Sequence, residues 1–248
     1  MKVCNIYSSD LPNVGDRYCA PIRYFDFPFV VDEDAPPNLL KIIGNYDYII
    51  FGGGGHIHIP TLDYNDGKFG HLEVLLPYAS KIINWGIGHN VGHSEVIEYP
   101  DYMDEFVLNG FRDVQRQGID WVACPSCMHT AFDKTYPIKH RYRAFHKRGK
   151  LIEGVSLEDG GGLSLSDTVE FLGGAETIIT NSYHGAYWGL LLGREVIVRK
   201  PDSSKFFGLV KDYERYGYDL ILKSPAGYLD SCRKSNEDFF DKVVKKIS

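Results

Sequence analysis

The chain has 248 residues, of which 44% are hydrophobic and 24% charged, and its formal net charge is −6 at pH 7. This composition is typical of a globular protein with one large or two small domains. The negative charge argues against a general nucleic-acid binder. No run reaches the roughly 20 apolar residues of a membrane span, and the first ten residues lack the apolar segment of a signal peptide. The predicted location is therefore cytoplasmic.

Five cysteines, an odd number, favour reduced thiols over a disulfide framework. Cys124 and Cys127 have metal or redox spacing, but packing thiols are favoured over a zinc site that the two would share with His129. The basic run from Lys139 to Lys150 either holds an anionic ligand or forms a solvated face, and the solvated face is the favoured interpretation.

The first predicted strand covers residues 3–8 and runs into a turn at residues 13–16. Asn13 tolerates left-handed backbone in such a turn, and Asp16 is predicted to cap the next helix. A second strand is predicted over residues 27–31. The helix predicted next covers residues 36–43, because prolines precede it and a glycine follows it.

Four consecutive glycines, residues 52–55, follow a buried strand predicted over residues 46–51. They indicate a point where a ligand approaches the backbone closely, and a flexible surface loop is the alternative. The run has neither the spacing of a dinucleotide fingerprint nor the residues of a P-loop. His56 and His58 follow at strand spacing and point the same way in an extended chain. With His71 they are candidate metal ligands, but the favoured interpretation is that they line a solvent-filled cleft.

Four further elements are predicted in the first half from their apolar patterns: a helix over residues 71–80 and strands over residues 81–85, 104–108 and 121–124. Arg112 lies just beyond the strand predicted over residues 104–108, where a guanidinium offers a bidentate partner for phosphate or carboxylate. A surface ion pair between Arg112 and Asp113 is the equally favoured alternative.

The second half is predicted to continue the alternation of strands and helices. Its elements are strands over residues 142–147, 151–155 and 220–222, and helices that begin at Ser164 or Ser166, at Lys205 and at Asn236. Strands that alternate with helices over the whole chain predict an α/β fold with parallel sheets. In such sheets ligands bind beyond the carboxyl ends of the strands.

One unit of this half is the most informative part of the chain. Residues 177–180 form an apolar, β-branched strand, Asn181 and Ser182 are helix caps, and the helix that follows ends at Gly193. The start of that helix is suited to a phosphate or carboxylate. His184, in its first turn, can donate to an anion or move a proton, and Gly185 allows close approach of a ligand.

The sequence TNSYHG at residues 180–185, with the apolar helix and the LGREVIV segment that follow, resembles the C-terminal signature of the polysaccharide pyruvyl transferase family. The turn at residues 13–16, the glycine run and the Arg112-Asp113 pair are also similar to elements of that family. This chain has Ser182 where many members have Arg.

The resemblance implies two Rossmann-like halves, residues 1–135 and 136–248, with parallel sheets in a GT-B-like arrangement. It implies transfer of a pyruvyl group from phosphoenolpyruvate to a sugar or lipid-linked oligosaccharide, without a cofactor or metal. A glycosyltransferase that uses a nucleotide-sugar and a non-catalytic sugar-binding relative are the alternatives. Replacement of His184 by alanine is expected to abolish turnover with little loss of stability.

The predicted site residues fall into two groups. The residues assigned to catalysis are His184, Arg112 and Asp16. Those assigned to substrate binding are Asn13, Gly53, Gly54, Gly55, His56, Ser182, Tyr183, Gly185 and Lys205. Because many of them lie just after a predicted strand, we expect them to share one cleft.

Overall fold

Two six-stranded sheets form the protein in a computed structural model, which describes residues 1–7, 13–34, 39–57, 72–99, 101–113, 120–146, 156–158 and 163–248. The side chains of residues 56, 57, 72–74, 156 and 158 lie outside this description, as do residues 58 and 71. The metal site considered for His56, His58 and His71 therefore falls on residues that the structure does not describe.

The first sheet is parallel throughout, with strand order β2-β1-β3-β4-β5-β6. Its strands are β1 (Val3–Ile6), β2 (Val31–Asp34), β3 (Tyr48–Ile57), β4 (Ile82–His89), β5 (Leu108–Phe111) and β6 (Asp120–Trp121). The connections contain helices α1 (Val14–Arg17) and α2 (Leu39–Ile42) and the 3-10 helices Pro21–Arg23, Ile43–Asn45, Leu72–Lys81 and Asp101–Glu105.

The second sheet is mixed, with strand order β11-β12-β10-β9-β7-β8. Its strands are β7 (His140–His146), β8 (Ser156–Glu158), β9 (Ala175–Thr180), β10 (Glu195–Val198), β11 (Tyr213–Tyr216) and β12 (Asp219–Leu222). Helices α3 (Leu165–Gly173), α4 (Tyr183–Leu191) and α5 (Tyr228–Ile247) and the 3-10 helices Pro125–Met128, Thr130–Asp133 and Ser204–Phe206 complete this part.

The α/β class is confirmed, but the expectation of parallel strands in both sheets is wrong at one edge of the second sheet. There β12 pairs antiparallel with β10 and with β11. A loop of Gly217 and Tyr218 joins β11 to β12, and Gly217 has a φ of 60°. Such a two-residue loop favours a hairpin, because a positive φ matches the twist of the two strands.

Several predicted elements differ from the structure. The strand expected over residues 121–124 is shortened to β6, and the helix expected over residues 71–80 is a 3-10 helix. The strand expected over residues 151–155 lies outside the described residues.

In place of the helix expected over residues 205–216, the chain forms a 3-10 turn and then β11, because residues 213–216 pair with β12. The strand expected over residues 104–108 begins only at Leu108. The strand expected over residues 27–31 is displaced to β2, because Phe25 and Phe27 pack against α5 instead of pairing.

Helix α5 is longer than predicted and packs against the first sheet. Phe239, Val243 and Ile247 join a buried cluster with residues of β1, β3 and β4. The buried side chain of Asn236 accepts a hydrogen bond from Trp85 Nε1 at 2.8 Å and donates to the carbonyl of Ala123 at 3.1 Å. The end of the chain therefore completes the core of the sheet that its beginning forms.

The loop after β4 joins the two sheets at its contact with residues 202–204. His93 N donates to the carbonyl of Asp202 at 2.9 Å, and Ser204 N donates to that of Val91 at 3.0 Å. These contacts bring the carboxyl ends of β4 and β5 towards the segment that follows β10. Among the described residues, no helix is long and apolar enough to cross a membrane.

Candidate functional site

A cleft of about 180 Å³ lies between the two sheets. The residues that line it come from both parts of the chain: Asn13, Asp16, Cys19, Gly53, Gly54, Gly55, Asn90, Arg112, Ser182, Tyr183, His184 and Lys205. The structure thus brings together all the predicted site residues except Gly185 and His56. The side chain of His56 is outside the described residues, although its backbone lies in β3.

Helix α1 begins one wall of the cleft, and its cap differs from the prediction. The side chain of Asn13 accepts hydrogen bonds from the backbone N–H groups of Gly15 at 2.9 Å and Asp16 at 3.4 Å. Asn13 is therefore the N-cap, because its amide oxygen reaches the first free N–H groups. Asp16 lies inside the first turn, where its carboxylate lines the cleft.

Gly15 packs directly on the ring of His184. A Cβ at residue 15 would lie 1.9 Å from Nδ1 of that ring, so only glycine fits there with the ring in place. On the other side, Nε2 of His184 lies 3.7 Å from Sγ of Cys124. The ring of Trp188 is 5.2 Å away between centroids.

His184 is 4% exposed. Because other residues pack against the His184 ring on three sides, replacing it by a smaller side chain leaves a cavity. Replacement of His184 by alanine is therefore expected to cost stability, contrary to the expectation from the sequence.

The N-terminus of α4 forms the opposite wall. Ser182 caps the helix, and its Oγ accepts a hydrogen bond from Gly185 N at 3.5 Å. The aligned peptide dipoles of α4 place partial positive charge at this end. Gly185 itself turns away from the cleft, because a Cβ there would lie 2.5 Å from Oγ1 of Thr180 and 2.6 Å from Cδ1 of Phe145. Gly185 lacks a side chain because α4 packs closely on β7 and β9 at this residue, not because a ligand approaches there.

Gly53 and Gly54 lie inside β3, not in the flexible loop that was the alternative prediction. Both have positive φ, 57° and 100°, and the register between β3 and β4 shifts after Gly54. A Cβ on Gly53 would lie 2.3 Å from Cβ of Cys19. The closest neighbour of this glycine is therefore another part of the chain, while Gly53, Gly54 and Gly55 still line the cleft.

Arg112 is the most unusual side chain of the cleft. It is 5% exposed, and its guanidinium carbon lies 3.6 Å from the ring centroid of Tyr183. Its Nε is buried without a hydrogen-bond partner, and in the described part of the chain the side chain forms no ion pair. Because Arg112 and Asp113 are both buried, the predicted surface pair between them is wrong.

Two neighbours fix the position of Arg112. A Cβ on Gly88 would lie 2.4 Å from Nε of the arginine, so the glycine leaves the space that the side chain occupies. The indole Nε1 of Trp121 donates to the backbone carbonyl of Arg112 at 3.0 Å. Burial acts to lower the pKa of Arg112, but the nearby charge of Asp113 acts to raise it, and the net shift of the pKa is upward. The guanidinium therefore carries its charge in the cleft.

A buried polar cluster lies behind Arg112. Oδ2 of Asp113 accepts hydrogen bonds from His89 N at 2.7 Å and from the hydroxyl of Tyr99 at 2.5 Å. His89 Nδ1 lies 2.7 Å from Oγ of Ser204. Burial raises the pKa of Asp113, and the charge of Arg112 opposes that shift. This cluster holds the end of β4 and the segment that carries Lys205 in fixed positions beside Arg112.

Acidification below pH 6.5 is expected to destabilise the protein through His89. Burial lowers the pKa of His89, with Asp113 and Glu98 acting in the opposite direction. The unfolded imidazole, with its ordinary pKa of 6.5, takes up a proton at a higher pH than the folded one. Stability is therefore lost as the pH falls from 6.5 through the lowered folded value. Denaturant titrations across this range should show a smaller pH slope for His89→Gln.

An unchanged slope in His89→Gln would contradict the assignment to His89. His129 provides the comparison, because burial also lowers its pKa but it lies outside the polar cluster. Replacement of His129 by glutamine should therefore leave the part of the slope that His89 contributes.

Two residues of the cleft were not predicted. Asn90 follows β4, its Nδ2 donates to the carbonyl of Gly55 at 3.5 Å, and its Oδ1 accepts from Oγ of Ser203 at 2.8 Å. Its position just beyond a parallel strand is the signal that would have identified it. Cys19 has no such signal, because it reaches the cleft only through its packing on Gly53.

The cysteines are all buried and free. Burial raises the pKa of the Cys124 thiol. Within the described ranges, no group of three or more His, Cys, Asp or Glu side chains is arranged to hold a metal ion, so Cys124, Cys127 and His129 do not converge on one. The cysteines of this part of the chain pack against other residues.

The charges of the cleft are mainly positive. Arg112 and the N-terminus of α4 are joined by Lys205, whose side chain is 17% exposed and whose Nζ lies 4.0 Å from Oδ1 of Asp202. Asp16 is the acidic side chain among the lining residues. Such a site can hold a small anion.

Comparisons with known proteins do not assign a function. No family model, curated protein or solved structure matches the chain.

Proposed function

We propose that the protein is a pyruvyl transferase that uses phosphoenolpyruvate as donor and a sugar or lipid-linked oligosaccharide as acceptor. Its two α/β parts would form Rossmann-like halves in a GT-B-like arrangement around the cleft. The observation that carries the proposal is Arg112, a buried guanidinium that lines the cleft without an ion pair among the described residues.

A buried charge without a partner is costly, with a penalty of several kcal/mol. The cation–π contact with Tyr183 offsets part of that cost, since such contacts are worth about 2 kcal/mol when desolvated. An anionic ligand in the cleft would supply the missing partner. A guanidinium binds phosphate or carboxylate through two parallel hydrogen bonds, and phosphoenolpyruvate carries both groups.

The size of the cleft favours phosphoenolpyruvate over a nucleotide-sugar. Its volume of about 180 Å³ is below the roughly 300–1,000 Å³ that is common for pockets of drug-sized ligands. A small dianion fits such a space, whereas a nucleoside diphosphate with an attached sugar is larger. This comparison supports the proposal over the glycosyltransferase alternative.

The reaction assigns a role to each side chain. Two acceptor hydroxyls add to the central carbon of phosphoenolpyruvate, its bond to the phosphate oxygen breaks, and the methylene carbon becomes a methyl group. Of the two hydroxyl protons, one ends on that carbon and one leaves with phosphate. Arg112, Lys205 and the N-terminus of α4 would stabilise the anionic groups. His184 and Asp16 would transfer the protons.

Phosphoenolpyruvate is expected to raise the thermal unfolding midpoint of the protein, because a ligand that binds only the folded state stabilises it. UDP, GDP and inorganic phosphate should have smaller effects. Lys205→Ala should reduce the shift, while Lys134→Ala, a matched change at an exposed lysine outside the cleft, should not. A larger response to a nucleotide would favour glycosyl transfer. If no ligand raises the unfolding midpoint, a non-catalytic sugar-binding relative is favoured.

A further inference from the structure

A second cavity, of about 740 Å³, lies where the β11–β12 hairpin and the start of α5 meet Trp121. Among the residues that the structure describes, none lines both this cavity and the cleft. Its volume is within the roughly 300–1,000 Å³ that is common for ligand pockets. This cavity can therefore take a larger molecule than the cleft can.

Aromatic rings form part of the accessible apolar wall of the cavity, to which Ile221, Pro225 and Ala226 also contribute. Trp121 and Tyr213 line it and are each partly exposed. Leu209 and Val210 also line it but are only 1% and 3% exposed, so they offer little contact surface. A ligand in the cavity therefore contacts the rings of Trp121 and Tyr213, each of which has an apolar face and a polar group at its edge. The C–H face of a pyranose ring packs on such a surface, while its hydroxyl groups point to the sides.

Charged side chains of both signs surround these rings. Lys211 and Lys223 stand beside Asp212 and Glu214, and Lys223 Nζ lies 2.7 Å from Oε1 of Glu214. Two cations and two anions give no net charge, which disfavours a polyanion such as a nucleoside diphosphate. Ammonium groups donate hydrogen bonds and carboxylates accept them, and a sugar hydroxyl can use both. We infer that this cavity binds a neutral saccharide.

Two features of the chain extend from the cleft to the cavity. Trp121 lines the cavity, and its Nε1 donates to the carbonyl of Arg112, whose side chain lines the cleft. The segment from Lys205 to Tyr213 begins at the cleft and ends at the cavity. The inference stands on the chemistry of the cavity and does not depend on the reaction proposed for the cleft.

The test is a calorimetric titration, without phosphoenolpyruvate, with neutral gluco- and galacto-oligosaccharides from disaccharides to tetrasaccharides. At least one should bind saturably to the wild type. Lys211→Ala and Asp212→Ala, both at exposed rim positions, should each weaken that binding by about threefold to tenfold, the effect of one lost hydrogen bond. Tyr218→Ala, at a position that is 84% exposed and outside the cavity, should leave it unchanged.

Tryptophan fluorescence gives a second readout, because Trp85 and Trp188 are 0% exposed and Trp121 is the one partly exposed tryptophan of the chain. The saccharide should change the emission of the wild type and not that of Trp121→Phe. The inference is overturned if no member of the panel binds, or if binding is insensitive to both rim variants. Binding of UDP that the rim variants weaken would overturn it as well.

Discussion

Replacement of Arg112 by methionine is expected to weaken phosphoenolpyruvate binding by about a hundredfold or more and to change the stability of the ligand-free protein much less. Two charge-assisted hydrogen bonds, each worth about 1.5–3 kcal/mol, account for the loss of binding. Methionine removes the buried charge while filling much of the same space. Calorimetric titration with phosphoenolpyruvate and thermal unfolding of the free protein measure the two effects.

Two further variants test whether the loss of binding is specific to the guanidinium of Arg112. Arg112→Lys keeps the charge but loses the planar fork, so its binding should fall between wild type and Arg112→Met. Arg141→Met makes the same chemical change at an exposed arginine of β7 and should alter neither quantity. A structural role for Arg112 would show the opposite pattern, in which methionine destabilises the free protein and leaves binding intact.

Replacement of Gly15 by alanine is expected to lower phosphoenolpyruvate-dependent phosphate release by about 10²–10⁴-fold, the range for a lost general acid or base. The added Cβ would lie 1.9 Å from Nδ1 of His184, so the ring must move. Gly15 lies within helix α1 without a positive φ, and alanine is not strained there. The loss would therefore come from displacement of His184.

The control is Gly44→Ala, because a Cβ at residue 44 has no neighbour within 4 Å. This variant should keep full activity and stability. The contact itself is tested by a double-mutant cycle with His184→Ala, in which denaturant unfolding measures the free energy of all four proteins. The double variant should be more stable than the sum of the single effects predicts, by about 0.5–3 kcal/mol. Additive effects would show that residues 15 and 184 do not meet.

Together the two sets of variants separate binding from chemistry. Arg112 contacts the proposed anion through its side chain, while Gly15 acts only through the position of His184. If Arg112→Met loses binding but Gly15→Ala keeps both binding and turnover, the cleft binds the anion without using His184. That result would retain the anion site and reject the assigned proton transfer.

The sequence by itself determined the strand, cap and helix that place His184 at the cleft. The apolar run of β9, the cap Ser182 and the terminating Gly193 are local signals, and the structure has all three, with a φ of 69° at Gly193. The position of Arg112 beyond a strand was also predicted, although β5 begins later than expected. These features follow from neighbouring residues, whose capping and periodicity act over a few positions.

Only the tertiary structure decided what these residues contact. It placed Gly15 against His184, turned Gly185 towards the strands, and left Arg112 buried with Tyr183 over its guanidinium. It also replaced the predicted helix after Lys205 by a 3-10 turn and a hairpin strand, because residues 213–216 pair with β12. Each of these contacts joins residues from different elements of the chain. Local sequence patterns carry little information about such pairs, because packing between distant segments is set by the shapes that meet when the whole chain folds.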